Sequence, residues 1–239
     1  MKGYIVALIE ILLFTMGSIT LRNIYPKLKN INTIIYFWVM LTILTGLWEI
    51  SFISNYKEVT YLANELITTN KHTWSNNYNI TYLLPSKFSK IFYAEYGAWA
   101  DREYMSHTDD WSRIIESSHC TQCALFSLLA ILFKISGYHN NYLITLSVSM
   151  GTQFMNSFLY MCAYFIQERE PSNINYNSTN FPSNTSLSDR PFMWVNIFWL
   201  VMPFYTIIYY IIENSRLTNK EPNNEKDYYW SDNDKITKM

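Results

Sequence analysis

Five stretches of roughly 20 mostly apolar residues, set between polar loops, constrain this chain more than any other feature. They cover residues 4–21, 31–53, 114–135, 143–166 and 192–212. About 20 such residues are needed to cross the hydrocarbon core of a bilayer, and a helix pairs its own backbone polar groups there. The sequence therefore predicts an all-α fold, a polytopic membrane helix bundle with about five transmembrane helices.

The first stretch has a second interpretation, because Lys2 followed by a short apolar run also resembles a signal peptide. Glu10 interrupts the run, and no small-residue cleavage pattern follows it. A retained first span gives five helices, whereas a removed one leaves four with the same later topology. The sequence leaves both open.

Loop charges predict the orientation. The short loop at residues 22–30 carries three basic residues and no acid, and the connection at 134–141 carries Lys134 and no acid. The positive-inside rule places such loops on the cytoplasmic side. The N-terminus and the loops at 54–113 and 167–191 are then lumenal, and the C-terminus is cytoplasmic.

The two predicted lumenal loops contain three sequons for N-glycosylation, at Asn79, Asn177 and Asn184. Sequons are used only where they face the lumen, so their placement agrees with the predicted orientation. In a chain this rich in asparagine they also arise by chance.

The pattern divides the chain into three parts. Residues 1–30 form a first transmembrane helix and a cytoplasmic loop, residues 31–216 a four-helix membrane domain with a long lumenal loop, and residues 217–239 a disordered cytoplasmic tail. The lumenal loop contains an aromatic stretch at 88–99, which predicts an interfacial helix over the lumenal mouth of the bundle.

Charge and cysteine content exclude several classes of function. The formal net charge is −1, so we expect no nucleic-acid partner. Cys120, Cys123 and Cys162 lie in or beside apolar runs, and an odd number there is not a disulfide framework. The first two have CxxC spacing and follow His119, but a metal site needs three or four converging ligands, so no metal is expected.

Ionisable groups inside membrane spans are functional candidates because they are costly there. Glu49 lies near the end of the second span, and Glu116 and His119 lie on one face near the start of the third. We assign these three as candidate catalytic residues. The alternatives are interfacial hydration of the two glutamates and a packed histidine bonded to a backbone carbonyl.

Four other polar or aromatic side chains are candidates for substrate binding. Asn196 and Trp199 lie near the start of the fifth span, and Gln153 and Tyr160 lie in the fourth. Because neighbouring spans run in opposite directions, all but Gln153 are predicted at the depth of the candidate catalytic residues, in the lumenal half. Trp199 has the alternative role of an interfacial anchor.

Four short segments carry a family resemblance: residues 95–104 (Glu-Tyr, then Asp-Arg-Glu-Tyr), 115–117 (Ile-Glu-Ser), 153–160 (Gln, then Leu-Tyr) and 195–203 (Val-Asn-Ile-Phe-Trp-Leu-Val-Met-Pro). Their order and spacing resemble the emopamil-binding-protein family, the sterol Δ8→Δ7 isomerases that carry the EXPERA domain. The resemblance covers about residues 31–216.

The resemblance implies roles for individual residues. Glu49 and Glu116 match the family's carboxylates in the second and third spans, Asn196 its pocket amide and Trp199 its pocket indole. The family also has a histidine four residues before its second-span glutamate, and this chain has Thr45 there, which we add to the candidate substrate-binding residues.

The third span has a histidine at a position where the family has none. His119 stands where the family usually has a hydroxyl residue. We hypothesise that the imidazole has moved from one helix to the facing one and still joins Glu49 and Glu116 in one acid–base cluster.

The implied reaction moves a ring double bond through a carbocation. It needs a carboxylic acid that keeps its proton in an apolar cavity, a base for a second proton, and an aromatic face to stabilise positive charge. No cofactor is required. The expected partners are a sterol or sterol-like lipid and cationic amphiphiles, with a second copy of the chain as a further candidate, and the expected membrane is the endoplasmic reticulum.

Two other interpretations remain open. Other EXPERA proteins, such as the sigma-2 receptor, look like sterol or lipid binders without isomerase activity, and Thr45 makes that interpretation serious. In a lipid-homeostasis scaffold, Glu49 and Glu116 would only hydrogen-bond between helices.

Overall fold

The computed structural model describes residues 1–100, 110–169 and 191–218; within these ranges, side chains are described except at 110–117, 163–169, 191–194 and 217–218. The described ranges form α-helices joined by turns and short 3-10 segments, without a β-strand. The predicted all-α class is confirmed. The tail beyond Thr218 and the sequons at Asn177 and Asn184 lie outside these ranges.

Seven α-helices occur in the described part of the chain. They are α1 (Gly3–Ile24), α2 (Thr33–Ser54), α3 (Tyr56–Thr69), α4 (Pro85–Trp99), α5 (Asp110–Ser136), α6 (His139–Arg169) and α7 (Pro191–Thr218).

Local capping explains where several helices begin and end. The Asn32 side chain accepts hydrogen bonds from the amides of Ile34 (2.9 Å) and Ile35 (3.4 Å) and so caps α2. Asn70 adopts a left-handed conformation (φ 51°) that ends α3, and Gly137 (φ 94°) turns the chain between α5 and α6.

Among the described residues, four helical segments are long and apolar enough to cross a membrane: Gly3–Ile24, Thr33–Ser54, Ser118–Ser136 and Val195–Arg216. The chain is therefore an integral membrane protein. These segments correspond to the first, second, third and fifth predicted spans.

The fourth predicted span lies in α6, which is less apolar on average than these four segments. Its 31 residues give a length of about 46 Å, enough to cross a bilayer. Its polar Ser149 and Gln153 are buried, whereas apolar Ile144, Met155 and Leu159 face outward. This inverted pattern suits a helix with lipid on its outer side and explains why average hydropathy underrates it.

The bundle is built around α5, which packs against both α2 and α6, while α7 packs against α6 and also contacts α2. The largest core lies between these helices and contains Leu28, Ile31, Ile35, Tyr36, Trp38, Val39, Ala130, Ile131, Tyr142, Leu146 and Met150. Helix α1 lies at the edge of the bundle, and most of its large apolar side chains are exposed.

The described part of the long loop at 54–113 contains α3 and α4, which pack against each other and against the end of α2. Helix α4 confirms the predicted helix at 88–99, whereas α3 was not predicted. The Tyr93 ring stacks on Phe52 of α2 at 4.7 Å between centroids. This contact brings α4 over the end of α2 where Glu49 lies.

Candidate functional site

Glu49 is buried where α2 meets α4. Its side chain is 2% exposed. The Tyr93 hydroxyl of α4 donates a hydrogen bond to Glu49 Oε2. Burial raises the pKa of the Tyr93 phenol well above its usual range, and the neighbouring Glu49 carboxylate raises it further. Tyr93 therefore stays protonated and remains a hydrogen-bond donor to the carboxylate.

Tyr96, one turn further along α4, joins that helix to α6 and α7. Its hydroxyl lies 3.2 Å from the Tyr160 hydroxyl and accepts a hydrogen bond from Asn196 Nδ2 at 3.5 Å. Met161 and Ile197 pack beside this group. Two predicted substrate-binding residues, Tyr160 and Asn196, therefore meet through a residue of the long loop.

A second polar group lies deeper in the bundle, between α2 and α6. Gln153 is 3% exposed, accepts a hydrogen bond from Trp38 Nε1 at 2.9 Å and donates one to Thr42 Oγ1 at 3.4 Å. The Trp199 ring lies against Trp38, with centroids 4.7 Å apart. Since Trp38 precedes Glu49 by about three turns, this group lies ~16 Å along α2 from Glu49.

His119 makes contacts towards α6. Its Nε2 lies 3.4 Å from the Cys123 sulfur and its Nδ1 lies 3.8 Å from the Cys120 sulfur. The ring also lies close to the backbone of Thr152 in α6. In the part of the chain that is described, no group of three or more His, Cys, Asp or Glu side chains is arranged to hold a metal ion.

Two other predicted site residues stay apart from these groups. The Thr45 hydroxyl donates to the carbonyl oxygens of Leu41 (3.0 Å) and Thr42 (3.2 Å) in its own helix. Glu116 lies in the first part of α5, and its side chain falls outside the described residues. The same applies to residues 101–104 of the segment that carries the family resemblance.

The predicted site residues thus form separate groups. Glu49, Tyr160 and Asn196 lie at the end of the bundle covered by α4, whereas Gln153 and Trp199 lie deeper. Tyr93 and Tyr96 are site residues that were not predicted from the sequence. The available signal was the aromatic stretch at 88–99, because an aromatic helix next to a span with a buried carboxylate offers hydroxyl donors to it.

Glu10 is a second buried carboxyl group. It is 5% exposed and lies beside the indole of Trp48 in α2. The Trp48 Nε1 atom has no hydrogen bond with normal distance and angle. Glu10, which interrupts the first apolar stretch, therefore faces the bundle.

Two cavities open on the surface away from these groups. One of about 270 Å³ lies between α6 and α7 and is lined by Leu143, Leu146, Ser147, Met150, Thr206, Ile207, Tyr210, Ile211 and Asn214. The other, of about 400 Å³, lies between the end of α1 and the start of α2. None of the predicted site residues lines either cavity.

No family model, curated protein or solved structure matches this chain. The relation to the emopamil-binding-protein family therefore stays a prediction from the sequence segments.

Proposed function

We propose that this chain is an EXPERA-type sterol Δ8→Δ7 isomerase that acts within the membrane, with Glu49 as a proton-transfer residue. The observation that carries the proposal is the burial of the Glu49 carboxyl group beneath an aromatic helix, with Tyr93 as its hydrogen-bond donor. Placing an ionisable group within a membrane span is unfavourable in free energy, so a buried carboxyl group there usually has a function.

The reaction adds a proton to one carbon of the ring double bond, which leaves a positive charge on the other carbon. Loss of a proton from the neighbouring ring carbon then forms the shifted double bond. Glu49 is placed to transfer a proton, and Tyr93 holds its carboxyl group in orientation. Glu116 or His119 would take the second proton, because both lie on α5, the helix that packs against α2.

Other residues would bind the sterol. Tyr96, Tyr160 and Asn196 offer hydroxyl and amide groups to the sterol hydroxyl at the covered end of the bundle. The rings of Trp38 and Trp199 provide an aromatic surface deeper in the membrane. By the same proposal the protein lies in the endoplasmic reticulum membrane, with its N-terminus lumenal.

A non-catalytic sterol- or lipid-binding role is the second candidate, and one observation favours it. His119 Nε2 lies 3.4 Å from the Cys123 sulfur and the ring is close to the Thr152 backbone, on the side of α5 that faces α6. The Thr45 hydroxyl bonds within its own helix. A binding protein needs no second proton acceptor, so these contacts of His119 and Thr45 suit the binding role.

The test is a sterol profile in a microbial host that lacks its own Δ8→Δ7 isomerase. We expect conversion of accumulated Δ8 sterols, loss of at least about 100-fold in Glu49→Gln, and a smaller loss in Tyr93→Phe. The control is Glu65→Gln, the same change at an exposed glutamate of α3. A folded, membrane-inserted protein that converts nothing would exclude the isomerase and leave the binding role.

The role of His119 has its own matched comparison. We expect His119→Thr to lower isomerisation far more than His139→Thr, because His139 is exposed at the start of α6. Equal effects would contradict the hypothesis of a relocated imidazole.

Melting temperatures of Glu49→Gln and Glu116→Gln separate a chemical role of these glutamates from a structural one. Replacing a glutamate with a structural role should lower the melting temperature, whereas replacing a catalytic one need not.

A further inference from the structure

The 400 Å³ cavity at the end of α1 combines an apolar wall with a basic rim. It is lined by Ile19, Arg22, Asn23, Lys29 and Phe37. Its volume falls within the usual range of ligand sites, about 300–1,000 Å³. The cavity lies at the opposite end of α2 from Glu49.

Arg22 is held in place by neutral groups. Its guanidinium donates to Thr33 Oγ1 at 3.0 Å and to the carbonyl oxygens of Lys29 (3.3 Å) and Ile31 (2.9 Å), and it lies over the Tyr36 ring at 5.3 Å. These contacts fix the position of the guanidinium but do not neutralise its charge.

The basic residues around the cavity also lack acidic partners in the described structure. The salt bridges among described residues join His72 to Glu95 and Lys90 to Glu58, both in the long loop. Arg22 and Lys29 therefore present uncompensated positive charge at the cavity, which favours an anionic ligand.

The apolar side of the cavity continues along α1. Leu8, Leu12, Met16 and Ile19 recur at helical spacing on one face, and each is 46% or more exposed. A ligand that places its anionic group at Arg22 and Lys29 would have its apolar part beside this face. A phospholipid has both parts, whereas a free phosphate ion would use only the rim.

We propose that this cavity binds the phosphate headgroup of an anionic phospholipid, with an acyl chain along the exposed face of α1. Basic pockets between transmembrane helices are a known means of binding anionic headgroups. The site is independent of sterol binding and isomerisation, because it uses none of the residues proposed for them.

The test is native mass spectrometry of the full chain in detergent, titrated with phosphatidylglycerol or with phosphatidylcholine of the same acyl chains. We expect tighter binding of phosphatidylglycerol. Lys29→Gln should weaken that binding about fivefold, the effect of one basic residue near an anionic lipid. Lys27→Gln is the matched control, since it removes the same charge from the same turn but Lys27 does not line the cavity.

A second variant tests the apolar wall. Ile19→Glu places a carboxylate in the cavity and should weaken phosphatidylglycerol binding more than Ile24→Glu, at an exposed residue near the same helix end. Equal affinity for the two lipids, or equal losses in Lys27→Gln and Lys29→Gln, would overturn the proposal. Displacement of phosphatidylglycerol by inorganic phosphate alone would show that the cavity is a site for small anions, and this result would also overturn the proposal.

Discussion

Gly46 is a residue at which α2 and α5 approach closely, one turn before Glu49. A Cβ atom built at Gly46 would lie 2.1 Å from Ala124 Cβ and 3.2 Å from the Cys120 carbonyl oxygen. Since neither neighbour is a flexible side-chain end, any larger residue at position 46 must push the helices apart.

We therefore expect Gly46→Ala to destabilise the protein by about 1–3 kcal/mol, as overpacking does in well-packed cores. Thermal unfolding in detergent would show this as a lower melting temperature. Gly17→Ala is the control, because a Cβ at Gly17 meets no atom within 4 Å. A Gly46→Ala protein as stable as Gly17→Ala would mean that α2 and α5 are further apart than described.

The hydrogen bond between Trp38 and Gln153 gives a second prediction for single residues. Gln153→Leu leaves the buried Trp38 N–H without its acceptor and should cost about 1–2 kcal/mol. Adding Trp38→Phe removes the unpaired donor, so the double variant should be more stable than the sum of the two single effects predicts. Additive losses in thermal unfolding would show that the two side chains are not coupled.

At the scale of helices, the sequence predicts best those helices that are defined by a long run of apolar residues. Four predicted spans correspond to the apolar helical segments, and α6 agrees with the fourth in position. Helix α3 was missed because its apolar residues occur at helical spacing within a polar segment: Val59, Ala63 and Leu66 are buried and the rest is mostly polar. Such a helix depends on its packing partner, here α4, which a local apolar run does not reveal.

Glu95 connects α4 to the turn that follows α3. Its Oε2 atom accepts hydrogen bonds from the Thr73 amide (2.8 Å) and hydroxyl (3.0 Å), and its Oε1 atom lies 2.6 Å from His72 Nδ1. We expect Glu95→Ala to speed hydrogen exchange at the Thr73 amide by about tenfold or more, because charged hydrogen bonds contribute about 1.5–3 kcal/mol.

The matched control for that measurement is Glu58→Ala. Glu58 pairs with Lys90 at 2.6 Å, but its side chain is 55% exposed. Exposed ion pairs of this kind contribute about 0–1 kcal/mol, so exchange at Thr73 should change little. Similar exchange in the two variants would rule out Glu95 as the tie between α4 and the turn.

At the scale of the whole molecule, apolar side chains face outward and several polar groups face inward, as expected for a protein surrounded by lipid. The sequence predicted Glu49 and Gln153 as polar residues within spans, and both are buried. It could not predict their partners Tyr93, Trp38 and Thr42, because those contacts depend on how the helices rotate and pack.

The predicted orientation is tested by the sequon at Asn79, which is exposed before the 3-10 segment Ile80–Leu83. In a glycosylating eukaryotic host, Asn79→Gln should remove a glycan-sized mass shift. As a control, Lys235→Thr creates a sequon at Asn233 in the predicted cytoplasmic tail, and it should stay unmodified. A glycan at Asn233 would show that the C-terminus is lumenal, which is the opposite of the predicted orientation.

The close approach of α2 and α5 also bears on the search for distant relatives. Because a side chain at position 46 would collide with Ala124 of the facing helix, we expect these two positions to vary less than the lipid-facing residues. Lipid-facing positions exchange one apolar residue for another and soon lose any trace of common ancestry. We therefore expect remote homologues to keep a glycine in the second span and a small residue in the third, at the same spacing, after overall sequence identity is lost. Aligning these two positions would help to recognise such homologues.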